Sequence, residues 1–191
     1  MLRELRERFL LWITLLLVVF SCEMAHARSA TIDYQDCLGT YDDWRAPDRV
    51  RPRVKKVLCD FLRDYPEYTF IRHSDWRPLM SVGDVDHDQG VARSQHSYGR
   101  ALDFRLDSYQ GMTRIERLTT FQEQSEEFNF WLVLNGHECG GLGEYPQSHN
   151  PFLHYDTYGL DLGEKCGRRW GRLSGKYVDI DLARDWLESQ L

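Results

Sequence analysis

The stretch that most constrains this chain runs Ser94-Gln95-His96-Ser97-Tyr98-Gly99-Arg100-Ala101-Leu102-Asp103, setting an imidazole and a carboxylate on either side of a glycine. From Ala101 to Leu106 the residues alternate, so Leu102, Phe104 and Leu106 share one face of a strand while Ala101, Asp103 and Arg105 share the other. Asp103 is therefore expected to point away from the apolar layer. Gly99 permits the bend that returns His96, on the preceding loop, towards it. A second alternating run, Phe152 to Asp156, puts His154 on one face with Phe152 and Asp156, and that face is expected to be solvent-facing.

His96, Asp103 and His154 then form a nitrogen and oxygen set that leaves a fourth position for water, as catalytic zinc requires. The spacing also has a bland account. Seven histidines and thirty acidic residues produce such pairs by chance, and many loop histidines are only hydrogen-bonded. Residue types alone leave both readings open.

The rest of the chain frames this segment. Arg3, Arg6 and Arg8 precede the apolar run from Phe9 to Phe20, which is too short for a stable bilayer-spanning helix of ~20 residues. Ala25-His26-Ala27 offers a small-x-small cleavage pattern, so residues 1–27 are expected to be a signal peptide cut after Ala27. A lipoprotein site at Ser21-Cys22 is disfavoured by the bulk of Phe20, and an uncleaved N-terminal anchor ranks third. Contact with a membrane is expected only through this leader, if it is uncleaved or lipidated. Without it, Cys37, Cys59, Cys139 and Cys166 remain, an even number suited to an oxidising compartment. Sequence order favours Cys37 with Cys59 and Cys139 with Cys166, each bridge contributing ~3 kcal/mol, against the alternative of buried thiols. The location expected is exported, in a periplasm or cell envelope. A net charge of -6 argues against a nucleic-acid coat, which needs a basic face.

Residues 28–66 read as an N-terminal arm, tied down by Cys37, and a helix packing on the core; residues 67–191 read as the core itself. Val50, Val54, Val57, Leu58, Phe61 and Leu62 recur at helical spacing, with Asp48 as a cap and Pro66 after the end. Tyr68 to Ser74 reads as a strand. Thr113 to Phe128 reads as a helix capped by Thr113, Phe130 to Leu134 as a buried strand, Gly136 to Gly143 as a loop and Asp179 to Leu191 as a closing helix. Without regular strand-helix alternation the fold class is α+β, a small mostly antiparallel sheet with flanking helices. The acidic segment with Asp84, Asp86 and Asp88 partly matches a calcium loop, but its glycine falls one position late and Gln95 stands at the bidentate position. A solvated acidic turn accounts for it better than Ca2+.

Ser94 to Asp103 resembles the SxHxxGxAxD signature of the zinc D-Ala-D-Ala carboxypeptidase and murein endopeptidase family, whose fold is shared with the zinc domain of hedgehog proteins. Leu142-Gly143-Glu144-Tyr145 with Phe152-Leu153-His154-Tyr155-Asp156-Thr157 resembles the later block of the murein endopeptidase branch, with its final-ligand HxD pair. Trp76-Arg77-Pro78 is similar to the "GYR" turn upstream. The resemblance covers about Tyr68 to Gly159. It implies a hedgehog/DD-peptidase-like zinc fold in which His96, Asp103 and His154 hold one Zn2+ and Arg77 holds a substrate carbonyl or carboxylate. The implied activity is hydrolysis of amide bonds in peptidoglycan stem peptides or cross-links, and the implied partners are peptidoglycan peptides. One departure matters: the family's carboxypeptidases carry an acid three residues before the last histidine, and this chain has Pro151 there. His149 is the nearest replacement as general base, with Glu144 and Asp156 as others; Asp156 is alternatively an orienter of His154. Tyr98, Tyr145 and Tyr155 are expected to line the cleft. The same departure leaves open a catalytically inactive zinc-containing module that binds cell-wall peptide.

Overall fold

Among the described residues six strands make one sheet, and their order decides which side chains share a face. The structure is a computed structural model that describes residues 34–76, 94–163 and 166–191. In order, the strands are β1 (Ile71–Ser74), β2 (Ala101–Arg105), β3 (Gly141–Tyr145), β4 (Phe152–Asp156), β5 (Arg169–Leu173) and β6 (Lys176–Asp179). They lie side by side as β1-β2-β4-β3-β5-β6, every pair antiparallel except β3 with β5. The helices are α1 (Gln35–Leu38), α2 (Pro52–Asp64), α3 (Arg114–Leu134), α4 (Tyr158–Leu162) and α5 (Ile180–Glu188). This is the expected α+β class with a mostly antiparallel sheet and flanking helices.

One face of the sheet is apolar and covered by helices. Leu102, Phe104, Leu142, Leu153 and Tyr155 are almost wholly buried there. Phe128 of α3 meets Phe104, Tyr155 and, from α2, Phe61 edge to face, at centroid distances of 5.5, 5.6 and 4.9 Å. Aromatic pairs of this geometry add ~1 kcal/mol each beyond area burial. Gly171 of β5 lets α5 close on the sheet, since a Cβ there would lie 2.1 Å from that of Ala183.

Several boundaries differ from expectation. Helix α3 continues through Leu134 instead of yielding to a strand at Phe130, because Phe121, Gln124, Ser125, Phe128, Trp131 and Leu132 keep one helical stripe buried. Phe130, Val133 and Leu134 are exposed. A short apolar run does not by itself distinguish strand from buried helix. Thr113 does cap α3, in a capping box with Glu116. Asp48 does not cap α2; it sits in a 3-10 turn, Pro47–Arg49, and α2 begins with Pro52 after Arg51. Proline suits that first position, where its missing N–H has no helical partner to lose. The β1 strand is shorter than expected, and Gly141 and Gly143 belong to β3 rather than to a loop.

Two disulfides pin the periphery, Cys37 to Cys59 between α1 and α2, and Cys139 to Cys166. Their Cα atoms are 5.6 and 4.1 Å apart. Asp161 of α4 is within 3.3 to 3.4 Å of the guanidinium groups of Arg51, Arg53 and Arg100, joining the start of α2 to the segment after β4. Among the described residues no helix is long and apolar enough to cross a membrane. The expected leader, Arg77 and the acidic segment with Asp84, Asp86 and Asp88 lie outside the described residues.

Candidate metal centre

The second face of the sheet is where the polar residues converge. Asp103 and His154 are direct partners in the β2–β4 register, so their side chains rise side by side. His96 arrives from a 3-10 turn, Gln95–Tyr98, that ends on Gly99 in a left-handed conformation (φ 67°). Gly99 is required twice over: a Cβ there would also stand 1.8 Å from the Arg49 carbonyl oxygen. The backbone N–H of Arg51 donates to the Gly99 carbonyl at 2.8 Å, fixing the turn against the start of α2.

Three atoms meet at the centre. His96 Nε2 is 3.1 Å from Asp103 Oδ1 and 3.2 Å from His154 Nδ1, and His154 Nδ1 is 2.7 Å from Asp103 Oδ1. A tetrahedral ion with nitrogen and oxygen ligands at about 2.0–2.2 Å separates its ligand atoms by roughly 3.3–3.6 Å; the two edges from His96 Nε2 come close to this, and the 2.7 Å edge between His154 Nδ1 and Asp103 Oδ1 is a hydrogen-bond length. The three side chains are only 1%, 4% and 6% exposed for His96, Asp103 and His154. The face is therefore buried and not solvent-facing, which makes the fate of its charges decisive.

The outer nitrogens of both rings have acceptors of their own. His96 Nδ1 lies 2.7 Å from the Asp75 backbone carbonyl, which can only accept, so that nitrogen carries the proton. His154 Nε2 lies 3.4 Å from Asp156 Oδ2, again an acceptor. Where both imidazoles are neutral with these ring protons turned outward, a carboxylate oxygen and two nitrogen lone pairs face one another at the centre. A proton on His154 or a bound cation relieves that repulsion, and this His-Asp-His group could hold a metal ion. The titration of the metal-free groups expresses the same demand for positive charge. Burial works to raise the Asp103 carboxyl, but the charge of His96 and hydrogen bonds from both imidazoles hold it well below the usual carboxylate range. Burial opposes a charged His154, yet hydrogen bonds to Asp103 and Asp156, and their charges, push its pKa up to about 9.

A shell of partners orients His154. Asp156, 1% exposed, accepts two 2.9 Å contacts from Arg168 Nη2 and one from the Tyr158 backbone N–H at 2.9 Å. Its carboxyl is lowered despite burial, which acts to raise it, because His154 and Arg168 favour the charged form. The Arg168 guanidinium lies over the rings of Tyr158 and Trp170, at 4.9 and 5.5 Å. Trp170 packs against the His154 ring at 5.2 Å between centroids. The β3 glycines make room for this shell. A Cβ on Gly141 would be 2.5 Å from the Asp156 carboxylate, and one on Gly143 would be 2.5 Å from the Trp170 indole.

The sequence-based candidates divide cleanly. His96, Asp103 and His154 come together, and Asp156 stands behind His154 as an orienter. His149 is exposed in the turn between β3 and β4 and takes no part in the cluster. Pro151 is buried, and Glu144 faces the helices instead of the metal centre, accepting from Ser125 Oγ at 2.6 Å and from Arg184 Nη2 at 2.8 Å. Tyr155 is also turned to the helices. Tyr145 stays on the metal face, where its hydroxyl is held protonated well above its ordinary range, by burial first and then by Tyr177 and Asp103. Arg168 and Trp170 escaped sequence reasoning, although a buried Asp156 carboxylate implies a cation nearby. Comparison with family models, with curated proteins and with solved structures finds no match to this chain, so the chemistry of the site rests on its own geometry.

Proposed function

We propose that this chain is an exported zinc metallopeptidase that hydrolyses amide bonds of peptidoglycan stem peptides or cross-links. The observation that carries the metal is the buried triangle of His96 Nε2, Asp103 Oδ1 and His154 Nδ1, with the outer ring nitrogens facing the Asp75 carbonyl and the Asp156 carboxylate. Two histidines and one carboxylate suit zinc and leave room for a further ligand. The peptidoglycan assignment comes from the resemblance of the Ser94–Asp103 and Leu142–Thr157 segments to the murein peptidase signature. Two disulfides suit an exported protein.

Zinc in this position supplies Lewis acidity to a carbonyl and makes water a usable nucleophile near neutral pH. The chain's own residues do the remaining work. Asp75 and Asp156 fix the two imidazoles, Arg168 neutralises Asp156, and Trp170 walls His154 from bulk water. Tyr145 offers a protonated hydroxyl able to donate to developing negative charge. Arg77, by the same resemblance, holds a substrate carbonyl or carboxylate.

Pro151 at the usual acid position, with Glu144 turned to the opposite face, favours one alternative: a catalytically inactive zinc-containing module that binds cell-wall peptide. One experiment separates them. Purified protein is expected to bind about one zinc and release new amines from murein sacculi, in a manner abolished by chelation and by His154→Ala. Stoichiometric zinc with stem peptides retained intact over hours would select the binding module, and no zinc at all would defeat both.

A further inference from the structure

The two histidines of the metal centre are oriented from different sources. Behind His154 stands a side chain, Asp156, whereas His96 Nδ1 meets the backbone carbonyl of Asp75 at 2.7 Å. A carbonyl is only as steady as the peptide unit that carries it. Asp75 lies just past β1, whose register with β2 ends at Ser74 opposite Asp103, so the strand ladder does not fix it. Whatever holds Asp75 therefore decides where His96 points.

The carboxylate of the same residue supplies the anchor. Asp75 is 3% exposed, and its Oδ2 accepts the backbone N–H groups of Arg45 at 2.6 Å and Ala46 at 3.3 Å. Its Oδ1 lies 3.8 Å from Arg72 Nη1, and Arg72 Nη2 donates to the Asp43 carbonyl. Hydrogen bonds from N–H groups to an ionised oxygen are about twice as strong as neutral ones. One residue thus grips His96 with its backbone and the N-terminal arm with its side chain.

The next contacts run the same way. The Arg49 guanidinium lies 4.4 Å over the Trp76 ring, and Trp76 Nε1 donates to the Ser97 carbonyl at 3.3 Å. Arg51 reaches the same turn twice, through its N–H to the Gly99 carbonyl at 2.8 Å and its Nε to the Tyr98 carbonyl at 3.2 Å. Upstream, the arm is tied to α2 by the bridge from Cys37 to Cys59. The stretch from Asp43 to Arg51 backs the turn that delivers His96 without supplying a ligand itself.

We infer that Asp75 is the positioning residue of His96, and that the N-terminal arm, through the N–H groups of Arg45 and Ala46, is a working part of the metal centre. The inference rests on the metal-centre reading and not on which bond is cut. Linkage makes the effect reciprocal. A clamp that tightens metal binding is tightened by the metal through the same factor.

The test uses the full chain and zinc alone. Asp75→Ala is expected to weaken zinc binding by ~10–100-fold in competition with a chelator, the loss usual for an outer partner of a metal-bound histidine. Asp75→Asn keeps an acceptor for both N–H groups and should restore most of the affinity. Glu144→Ala removes an equally buried carboxylate from the other face and should leave the affinity unchanged, which separates positioning from a general loss of stability. A second readout needs no variant: in wild-type protein the Arg45 and Ala46 amides should exchange with solvent ~10-fold or more slowly with zinc than without, while the Glu116 amide in its capping box does not change. Zinc affinity of Asp75→Ala within about twofold of wild type overturns the inference and leaves the metal centre standing. So does an Asp75→Asn chain as weak as Asp75→Ala, an equal loss in Glu144→Ala, or Arg45 and Ala46 amides indifferent to zinc. A wild type that binds no zinc overturns both.

Discussion

Glu144 on β3 and Asp103 on β2 are both nearly closed to water, at 1% and 4% exposure, but on opposite faces of the sheet they are satisfied differently. Glu144 receives donors: the Ser125 hydroxyl and the Arg184 guanidinium both point at its Oε1. Asp103 faces two imidazoles, 3.1 and 2.7 Å away, whose outer nitrogens meet the Asp75 carbonyl and the Asp156 carboxylate. The first arrangement is complete as folded. The second needs positive charge at its centre, from a proton on His154 or a bound cation, and that asymmetry separates a buried ion pair that holds helices from a group that could hold a metal.

The asymmetry is broken most severely by removing a ligand. His154→Ala should abolish stoichiometric zinc binding, measured by elemental analysis after dialysis, while the disulfide-linked fold persists by circular dichroism. The converse change is Glu144→Ala, which leaves the Arg184 charge with no carboxylate on the helical face. Breaking a buried pair from one side costs about 3–5 kcal/mol, so denaturant unfolding should shift by that amount. Zinc stoichiometry should not change. A Glu144→Ala chain that folded well and lost zinc would erase the distinction between the faces.

Smaller changes probe the shell. Asp156→Ala removes the acceptor of His154 Nε2 and the partner of Arg168, and outer-shell losses of this kind weaken metal affinity by about 10–100-fold. Competition with a chromophoric chelator reads this directly. Acidity probes the same atoms. In metal-free protein His154 holds its proton up to about pH 9, against 6.5 for an ordinary imidazole. A raised folded pKa means that this proton stabilises the fold fully below 6.5 and is lost as pH rises through 9. Above that pH the lone pairs confront one another with nothing between them. The Tm of stripped protein should therefore fall across pH 6.5–9, and the stabilisation conferred by zinc should widen over the same window. A gap independent of pH would mean that zinc binds elsewhere.

How much of this was visible in the sequence follows from how local each cause is. His96, Asp103 and His154 could be picked out because strand alternation assigns a face and Gly99 marks the bend. Their burial could not, since it depends on Trp170, Arg168 and the 3-10 turn closing over the sheet from distant positions. Arg168 meets Asp156 only because β5 runs parallel to β3, a pairing no local pattern announces. The glycines of β3 resembled loop residues for a related reason: they are small to admit Asp156 and Trp170, not to bend the chain.

The smallest test concerns a feature that was legible and lies in the helical half. Thr113 accepts from the Glu116 backbone N–H at 3.3 Å, and Glu116 accepts from the Thr113 N–H at 2.7 Å, closing the first turn of α3. Thr113→Ala removes one half of this capping box and should cost about 1 kcal/mol. For a domain of this size that is a fall in Tm of ~3 °C. Because α3 packs on the face opposite the metal centre, zinc affinity should be unaltered within error. Thr113→Ala and Asp156→Ala thus form a reciprocal pair, one moving stability with affinity fixed and the other moving affinity most. A capping variant that weakened zinc binding tenfold would show that the two faces of the sheet are coupled through β2 and β4, and that the metal centre depends on helical packing for its geometry.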